Sequence, residues 1–186
     1  MERNTLLALM AVAALTGVGV FYFTQAGETV GMIVLEESML QNVHSYSAGQ
    51  FTINLTNTGY NIIGDDTNPY TWAHYILTVT NGGTAKNFTF SKSNVVFTNN
   101  ISLEDFQVHQ VIEKDRFPYN ETIENETTTK YRWVYAWANE TPMNLTKTIA
   151  VSSGTTEYVV ILKVPRWSSG SYEMGVDTPF GRVTLE

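Results

Sequence analysis

Three histidines are the main candidates for metal binding or proton transfer near neutral pH, because this 186-residue chain has no cysteine. They are His44, His74 and His109, and none stands in His-x-x-x-His or Glu-x-x-His spacing. Without such spacing, nothing in the sequence brings two imidazoles to one metal ion. We therefore expect each histidine to lie alone on a strand or turn, and we predict no metal centre built on histidine.

Acidic side chains occur in two places where they could act together. Asp65, Asp66 and Asn68 offer oxygen ligands in a loop after Gly64, which suits either a weak calcium site or a polar turn. Glu36 and Glu37 are adjacent on a predicted strand, so their side chains point to opposite faces and form a poor acid–base pair. Nucleophile-elbow, phosphate-loop and dinucleotide motifs are absent from the sequence. We therefore expect no catalytic residues, no cofactor and no enzymatic activity.

A row of aromatic residues is the most unusual pattern in the chain. Tyr131, Trp133, Tyr135 and Trp137 recur with period two, which places all four rings on one face of a single strand. The row is either core, buried against a facing sheet, or a binding surface for another subunit or a glycan. Trp137 lies near Asn139 and Pro142, where the strand must end. We therefore expect Trp133 to be buried and Trp137 to be more exposed.

The charge balance excludes a large class of partners. The chain has 11 basic and 18 acidic side chains and a formal net charge of −7, so clustered cations for binding nucleic acid are missing. The absence of cysteine also excludes a disulfide framework and thiolate-bound metals.

The N-terminal segment indicates an exterior location. Residues Thr5 to Phe23 form an uncharged apolar run that is long enough, as one helix, to cross a bilayer. The run is either an uncleaved single-pass anchor or a signal peptide cleaved before Gly27. Both alternatives divide the chain into an N-terminal segment, 1–26, and an exterior domain, 27–186. Arg3 favours a cytoplasmic N-terminus and an extracellular C-terminal domain.

Seven Asn-x-Ser/Thr sequons agree with an exterior location. They are Asn54, Asn87, Asn100, Asn120, Asn125, Asn139 and Asn144. Asn54 and Asn87 alternate with apolar residues and should face away from the core. The polar stretch from Asn120 to Lys130 is predicted to be an exposed loop. We expect N-linked glycans at some of these positions, and an archaeal cell surface fits a cysteine-free, sequon-rich exterior domain.

Short runs of β-branched and aromatic residues between turn residues predict an all-β fold. Many strands at 8–12-residue spacing are typical of a two-layer antiparallel sandwich. The stretch from Tyr158 to Leu162 is apolar on both faces and predicts a central, covered strand. The predicted strands are 31–37, 50–57, 73–81, 86–90, 94–98, 103–112, 130–138, 144–151, 156–164, 171–176 and 180–185.

Two stretches of this pattern carry a resemblance to a known family. The run from Tyr75 through Thr80-Asn81-Gly82-Gly83-Thr84 to Val95-Val96-Phe97, and the run from Ile149 to Pro165, resemble an extracellular immunoglobulin-like family. Such domains occur behind membrane anchors in bacterial and archaeal surface proteins. The resemblance covers about half the chain and implies an immunoglobulin-like sandwich at the cell surface, with no catalytic residues.

The sequence therefore leads to one favoured function and one alternative. The favoured function is that of a membrane-anchored, N-glycosylated surface or envelope protein that acts through protein contacts, in assembly, in adhesion or as an accessory subunit. The alternative is an exterior module that binds carbohydrate or calcium through the aromatic row or the loop Asp65 to Asn68.

Overall fold

Antiparallel β-strands make up most of the computed structural model, which describes residues 1–61, 70–91, 95–97, 105–138, 146–165, 174–178 and 181–185. In chain order the elements are α1 Arg3–Thr16, β1 Gly19–Gln25, β2 Glu28–Glu36, a 3-10 helix Glu37–Leu40, β3 Val43–Ala48, β4 Phe51–Asn61, β5 Tyr70–Asn81, β6 Lys86–Ser91, β7 Val95–Phe97, β8 Asp105–Gln110, β9 Glu113–Ile123, β10 Glu126–Ala138, β11 Thr146–Val151, β12 Gly154–Pro165, β13 Met174–Thr178 and β14 Gly181–Leu185. The prediction of a mostly antiparallel β fold is confirmed.

The described chain forms two compact units. The first comprises Met1–Gln41 and His109–Glu140, and the second comprises Asn42–Val108 and Thr141–Glu186.

The first unit is a four-stranded sheet with α1 on one face. Its strand order is β1-β2-β10-β9, and each neighbouring pair is antiparallel. The buried side of α1 packs on alternate apolar residues of β2 and β10, which face the helix because strand side chains alternate between faces. This cluster comprises Leu6, Met10, Ala13, Ala14, Val30, Met32, Val34, Val134 and Ala136. It is the hydrophobic core between helix and sheet.

Two tight hairpins shape this sheet. β1 and β2 are joined by Ala26-Gly27, and β9 and β10 by Glu124-Asn125. All four turn residues have positive φ, from 50° at Glu124 to 83° at Gly27, as a type I′ turn requires. The hairpin of β9 and β10 overturns the prediction of an exposed loop from Asn120 to Lys130. We call residues 120–130 of this hairpin the arm; they are almost all exposed, and Ile123 is the single apolar residue among them, so the stretch lacks the alternation that marks a half-buried strand.

The apolar run from Thr5 to Phe23 is divided between a helix and a strand. α1 ends at Thr16, where Gly17 takes a φ of 135° and donates its N–H to the carbonyl oxygen of Ala13. The residues after it are β-branched and aromatic and pair with β2 from Gly19 onward. The structure therefore differs from the single 19-residue helix that we expected. No helix in the described part of the chain is long and apolar enough to span a bilayer.

The second unit is built from three sheets. The largest has the order β3-β4-β5-β12-β8, and the others are β11-β6 and β14-β13-β7. Residues Tyr158 to Leu162 of β12 are all buried between neighbouring strands β5 and β8, which confirms the predicted central strand. The predicted strands lie within a few residues of those observed, whereas β1, β3 and β9 were not predicted.

A buried asparagine fixes the loop that follows β5. Asn81 is 1% exposed, and its amide group donates to the carbonyl oxygens of Thr84 and Val151, each at 3.0 Å. Its side-chain oxygen accepts from the Gln50 side chain at 2.6 Å and from the N–H of Gly83 at 2.9 Å. The amide therefore uses both donors and its acceptor to hold three chain segments together.

Candidate functional site

The aromatic row lies on one face of β10, as its period-two spacing predicts. β10 pairs with β2 through residues 132–138 and with β9 through residues 126–136, so the row crosses the middle of the first sheet. The residues between the rings, Val134 and Ala136, face α1 on the opposite side. The row and the helix-covered core are therefore the two faces of the same sheet.

Burial along the row runs opposite to our expectation. Trp137 is 0% exposed and Tyr135 is buried, whereas Trp133 and Tyr131 are only half-buried. The prediction that Trp133 is core and Trp137 more exposed is wrong. Both tryptophans have a partner on β2, Leu35 opposite Trp133 and Gly31 opposite Trp137, so pairing with β2 alone does not account for the difference.

Three neighbours enclose the Trp137 ring. The imidazole of His109 stacks on it with centroids 5.0 Å apart, and the Tyr22 ring meets it edge-on at 6.3 Å. Gly31 is the cross-strand partner of Trp137, and a Cβ atom there would overlap the indole. Gly31 is therefore needed because the ring occupies the space of its side chain.

Cationic side chains from β9 cover the other end of the row. The Arg116 guanidinium lies 3.5 Å from the centroid of the Tyr131 ring, within the range of a cation–π interaction. The Lys114 ammonium lies 5.8 Å from the Trp133 centroid and 6.0 Å from that of Tyr135. Neither cation was predicted from the sequence, although Lys114 and Arg116 alternate with the same period as the rings they cover.

One carboxylate completes this cationic and aromatic group. Arg116 donates to Glu37 at 2.9 Å, and this hydrogen bond, with a smaller one from the Trp133 indole, holds the pKa of Glu37 below its ordinary value. Glu36 instead accepts from the Tyr119 hydroxyl at 3.0 Å. The two adjacent glutamates thus have different partners, but they are not neighbours on one strand as we expected, because β2 ends at Glu36 and the 3-10 helix begins at Glu37.

The helix-facing side of β10 carries an arginine that contacts the end of α1. Arg132 donates to the carbonyl oxygen of Ala14 at 2.7 Å and lies 3.9 Å from the Glu36 carboxylate. A cation at a helix C-terminus complements the unpaired carbonyl groups there. The Arg132 guanidinium also lies 4.0 Å from the Tyr119 ring centroid.

The outward side of α1 is apolar, which is unusual for a helix on the surface of a soluble protein. Leu15 is 76% exposed and Val12 is 53% exposed. No acidic or basic side chain occurs from Asn4 to Gly27. The helix is thus apolar on the side that packs on the sheet and on the side that faces away from it.

The described sequons lie mainly at the surface. Asn120 and Asn125 are exposed on the hairpin of β9 and β10, and Asn87 is exposed on β6. Asn54 is half-buried in β4, on the face of the sheet away from the buried side chains of Ile53 and Leu55. Asn100, Asn139 and Asn144 lie outside the described residues.

The structure does not bring the histidines together. His44 lies on β3, His74 on β5 and His109 on β8, and the described residues contain no cluster of three or more acidic or histidine side chains that could hold a metal. His74 is 3% exposed, and burial lowers its pKa to about 4. The calcium candidates Asp65, Asp66 and Asn68 lie outside the described residues.

Comparison with known proteins assigns no family. No protein family matches the sequence, and no curated protein matches it. A crystal structure of heparinase III is similar with a TM-score of 0.21 and 11% identity, over 90% of this chain and 26% of that protein. The chain spans about a quarter of the length of that enzyme, and a likeness this weak carries no argument about fold or activity.

Proposed function

We propose that the chain is an N-glycosylated protein of the cell surface or envelope, held at the membrane by its N-terminal segment and acting through protein contacts. The observation that carries this proposal is that, between Thr5 and Leu15, every exposed side chain of α1 is apolar, including Val12 and Leu15. Lipid is the environment that favours such a helix, because exposed apolar side chains cost free energy in water.

A membrane-spanning form requires a change from the fold described above. The 14 residues of α1 extend for about 21 Å as a helix, which is less than the ~30 Å hydrocarbon core. All 19 residues from Thr5 to Phe23 would reach ~28 Å. Residues 19–23 must therefore leave β2 and, together with residues 17 and 18, join the helix. Arg3 then remains in the cytoplasm, and the C-terminal domain is extracellular.

Exposed sequons support the exterior placement. Asn120 and Asn125 project from an arm whose residues are almost all exposed, so an oligosaccharyltransferase could reach both. An archaeal envelope is the setting that we propose for this glycoprotein. Glycans on the arm would keep it out of close interfaces, so protein contacts should use other surfaces.

The finer fold that we propose for the second unit is an immunoglobulin-like sandwich. Two observations support it. The first is that residues Tyr158 to Leu162 of β12 are buried on both faces. The second is that the turn Asn81-Gly82-Gly83, part of the sequence that resembles the family, is held by hydrogen bonds of the buried Asn81 side chain.

The experiment uses membranes of the native host. The protein should stay in the pellet after alkaline carbonate extraction, and added protease should digest it from the outside. Peptide mass spectrometry should find glycan on Asn120 or Asn125. A soluble product beginning at Gly27 would refute the anchor, and unmodified asparagines throughout would remove the support for a glycoprotein.

The half-buried end of the aromatic row favours carbohydrate binding as a second candidate. Tyr131 and Trp133 are partly accessible, and Arg116 and Lys114 would suit an acidic sugar. Tryptophan fluorescence should then change on titration with a panel of acidic oligosaccharides, and Trp133→Phe should abolish the change. No change with any member of the panel would exclude this candidate for these sugars.

A further inference from the structure

The N-terminal segment, residues 1–26, covers both a face and an edge of the first sheet. The inner side of α1 packs on the apolar face of β2 and β10, where Met32, Val34 and Ala136 are fully buried. β1 pairs with the outer edge of β2 along its whole length, from Gly19 to Gln25. If the segment leaves, the edge of β2 and the apolar face lose this cover.

Few polar contacts hold the segment in place among the described residues. The N-terminal ammonium pairs with Glu28, and Arg3 pairs with Glu113 at 3.2 Å, but both pairs include strongly exposed side chains. Ion pairs of this kind contribute little to stability. Arg132 adds one hydrogen bond to the Ala14 carbonyl oxygen at 2.7 Å. The segment is therefore held mainly by apolar packing and by β1–β2 pairing.

The break between α1 and β1 falls at glycine. Gly17 and Gly19 have φ angles of 135° and 152°, which glycine adopts readily because it has no Cβ atom. Glycine also enters a helix at a modest cost and is common in transmembrane helices. The junction can therefore form either a bend or a continuous helix.

We propose that residues 1–26 exchange between two positions: docked on the sheet, as in the structure, and inserted in a bilayer as one helix. This inference rests on the proposed membrane attachment. The docked segment shields its own apolar inner side and keeps the edge of β2 and the face beneath α1 covered. Insertion uncovers both, so the surface becomes accessible only when the protein is in the membrane.

Two cysteines at register partners would lock the docked position. Val20 and Ile33 are opposite each other in β1 and β2, within the part of β1 that must leave the sheet, and the chain has no cysteine to interfere. The purified full-length double variant Val20→Cys/Ile33→Cys would be mixed with vesicles of phosphatidylcholine and phosphatidylglycerol and floated on a density gradient. The oxidised form should float at least tenfold less than the reduced form.

A matched pair in the second unit provides the control. Thr80 and Thr155 are register partners of β5 and β12, with hydroxyl oxygens 3.0 Å apart. Thr80→Cys/Thr155→Cys should float like the wild type, whether oxidised or reduced. The wild type should also lose hydrogen-exchange protection at the β2 amides paired with β1 when vesicles are added.

The outcomes separate the inference from the proposed function. If the wild type binds vesicles but the oxidised Val20→Cys/Ile33→Cys variant floats equally well, the segment need not undock and the inference is wrong. Unchanged protection of β2 in vesicle-bound protein would also overturn it. If the wild type does not float and is extracted from native membranes by carbonate, the proposed attachment itself fails.

Discussion

Among single residues, Trp137 and Trp133 show how burial depends on the neighbouring strand. Trp137 is enclosed by His109, Tyr22 and Gly31, whereas Trp133 is half-buried beneath Lys114. Truncating a fully buried tryptophan removes a large apolar area and leaves a cavity. The two residues should therefore contribute differently to stability despite their identical type and shared strand face.

The first prediction is that Trp137→Ala lowers the free energy of unfolding by ~3–5 kcal/mol, and Trp133→Ala by ~1–2 kcal/mol because its ring is already partly in water. Urea denaturation of each purified variant measures both values. Each variant is the matched control of the other. Equal losses, or a larger loss for Trp133→Ala, would contradict the observed burial.

His74 is a second residue whose environment has a measurable consequence. It is buried, and its ring Nε2 has no hydrogen-bond partner among the described residues. Burial lowers its pKa from 6.5 to about 4, so the folded protein binds fewer protons than the unfolded chain between these values. Stability therefore falls as the pH drops from the unfolded pKa toward the folded one.

The second prediction is that His74→Phe removes this pH dependence. The wild type should lose ~1.4 kcal/mol per pH unit through His74 below about pH 6.5, and ~3 kcal/mol in total by about pH 4. The difference between variant and wild type in urea denaturation, measured from pH 7.5 to pH 4, gives this contribution directly. A constant difference across the pH range would show that His74 does not titrate as its burial implies.

At the scale of elements, strands that bury a face were the predictable part of the fold. β12 was identified because Tyr158 to Leu162 are apolar on both sides, and β4 because Phe51, Ile53 and Leu55 alternate with polar residues. The arm of β9 and β10 was missed because its side chains face solvent on both sides. Its turn, Glu124-Asn125, also lacks the glycine that usually marks a type I′ hairpin.

The candidate site was predictable only in part, for a related reason. Period-two spacing places Tyr131 to Trp137 on one face of β10, because side-chain direction is a local property of a strand. The burial of Trp137 depends on His109, Tyr22 and Gly31, and the cations above the other rings come from β9. These are pairings between distant parts of the chain, and no local pattern encodes them.

The loop after β5 provides a test at the element scale. Asn81 joins this loop to Gln50 and to the end of β11 through its side-chain amide. Asn81→Ala should destabilise the protein by about 3 kcal/mol, because it leaves the buried N–H of Gly83 and the carbonyl oxygen of Val151 without this partner. Asn87→Ala, at an exposed position on β6, should stay within ~0.5 kcal/mol of the wild type. Thermal or urea denaturation of unglycosylated protein distinguishes the two, and equal stability would show that the Asn81 amide is dispensable.

For the molecule as a whole, the N-terminal segment connects folding with location. The same residues supply half of the helix–sheet core and, in the proposed membrane form, the bilayer-spanning helix. Cleavage before Gly27, the signal-peptide alternative, would remove α1 and β1 together. The product would expose Val30, Met32, Val34, Val134 and Ala136, which the segment covers in the structure.

The last prediction follows from that loss of cover. A chain beginning at Gly27 should bind a hydrophobic dye such as ANS and self-associate in water, because a contiguous apolar face and an unpaired strand edge favour association. Full-length protein with Val12→Ser and Leu15→Ser is the control, since these side chains point away from the sheet and their replacement leaves the core intact. Size-exclusion chromatography with light scattering, beside dye fluorescence, measures both proteins. A truncated chain that stays monomeric and does not bind the dye would show that the sheet does not need the segment, and would favour a cleaved signal peptide over a retained one.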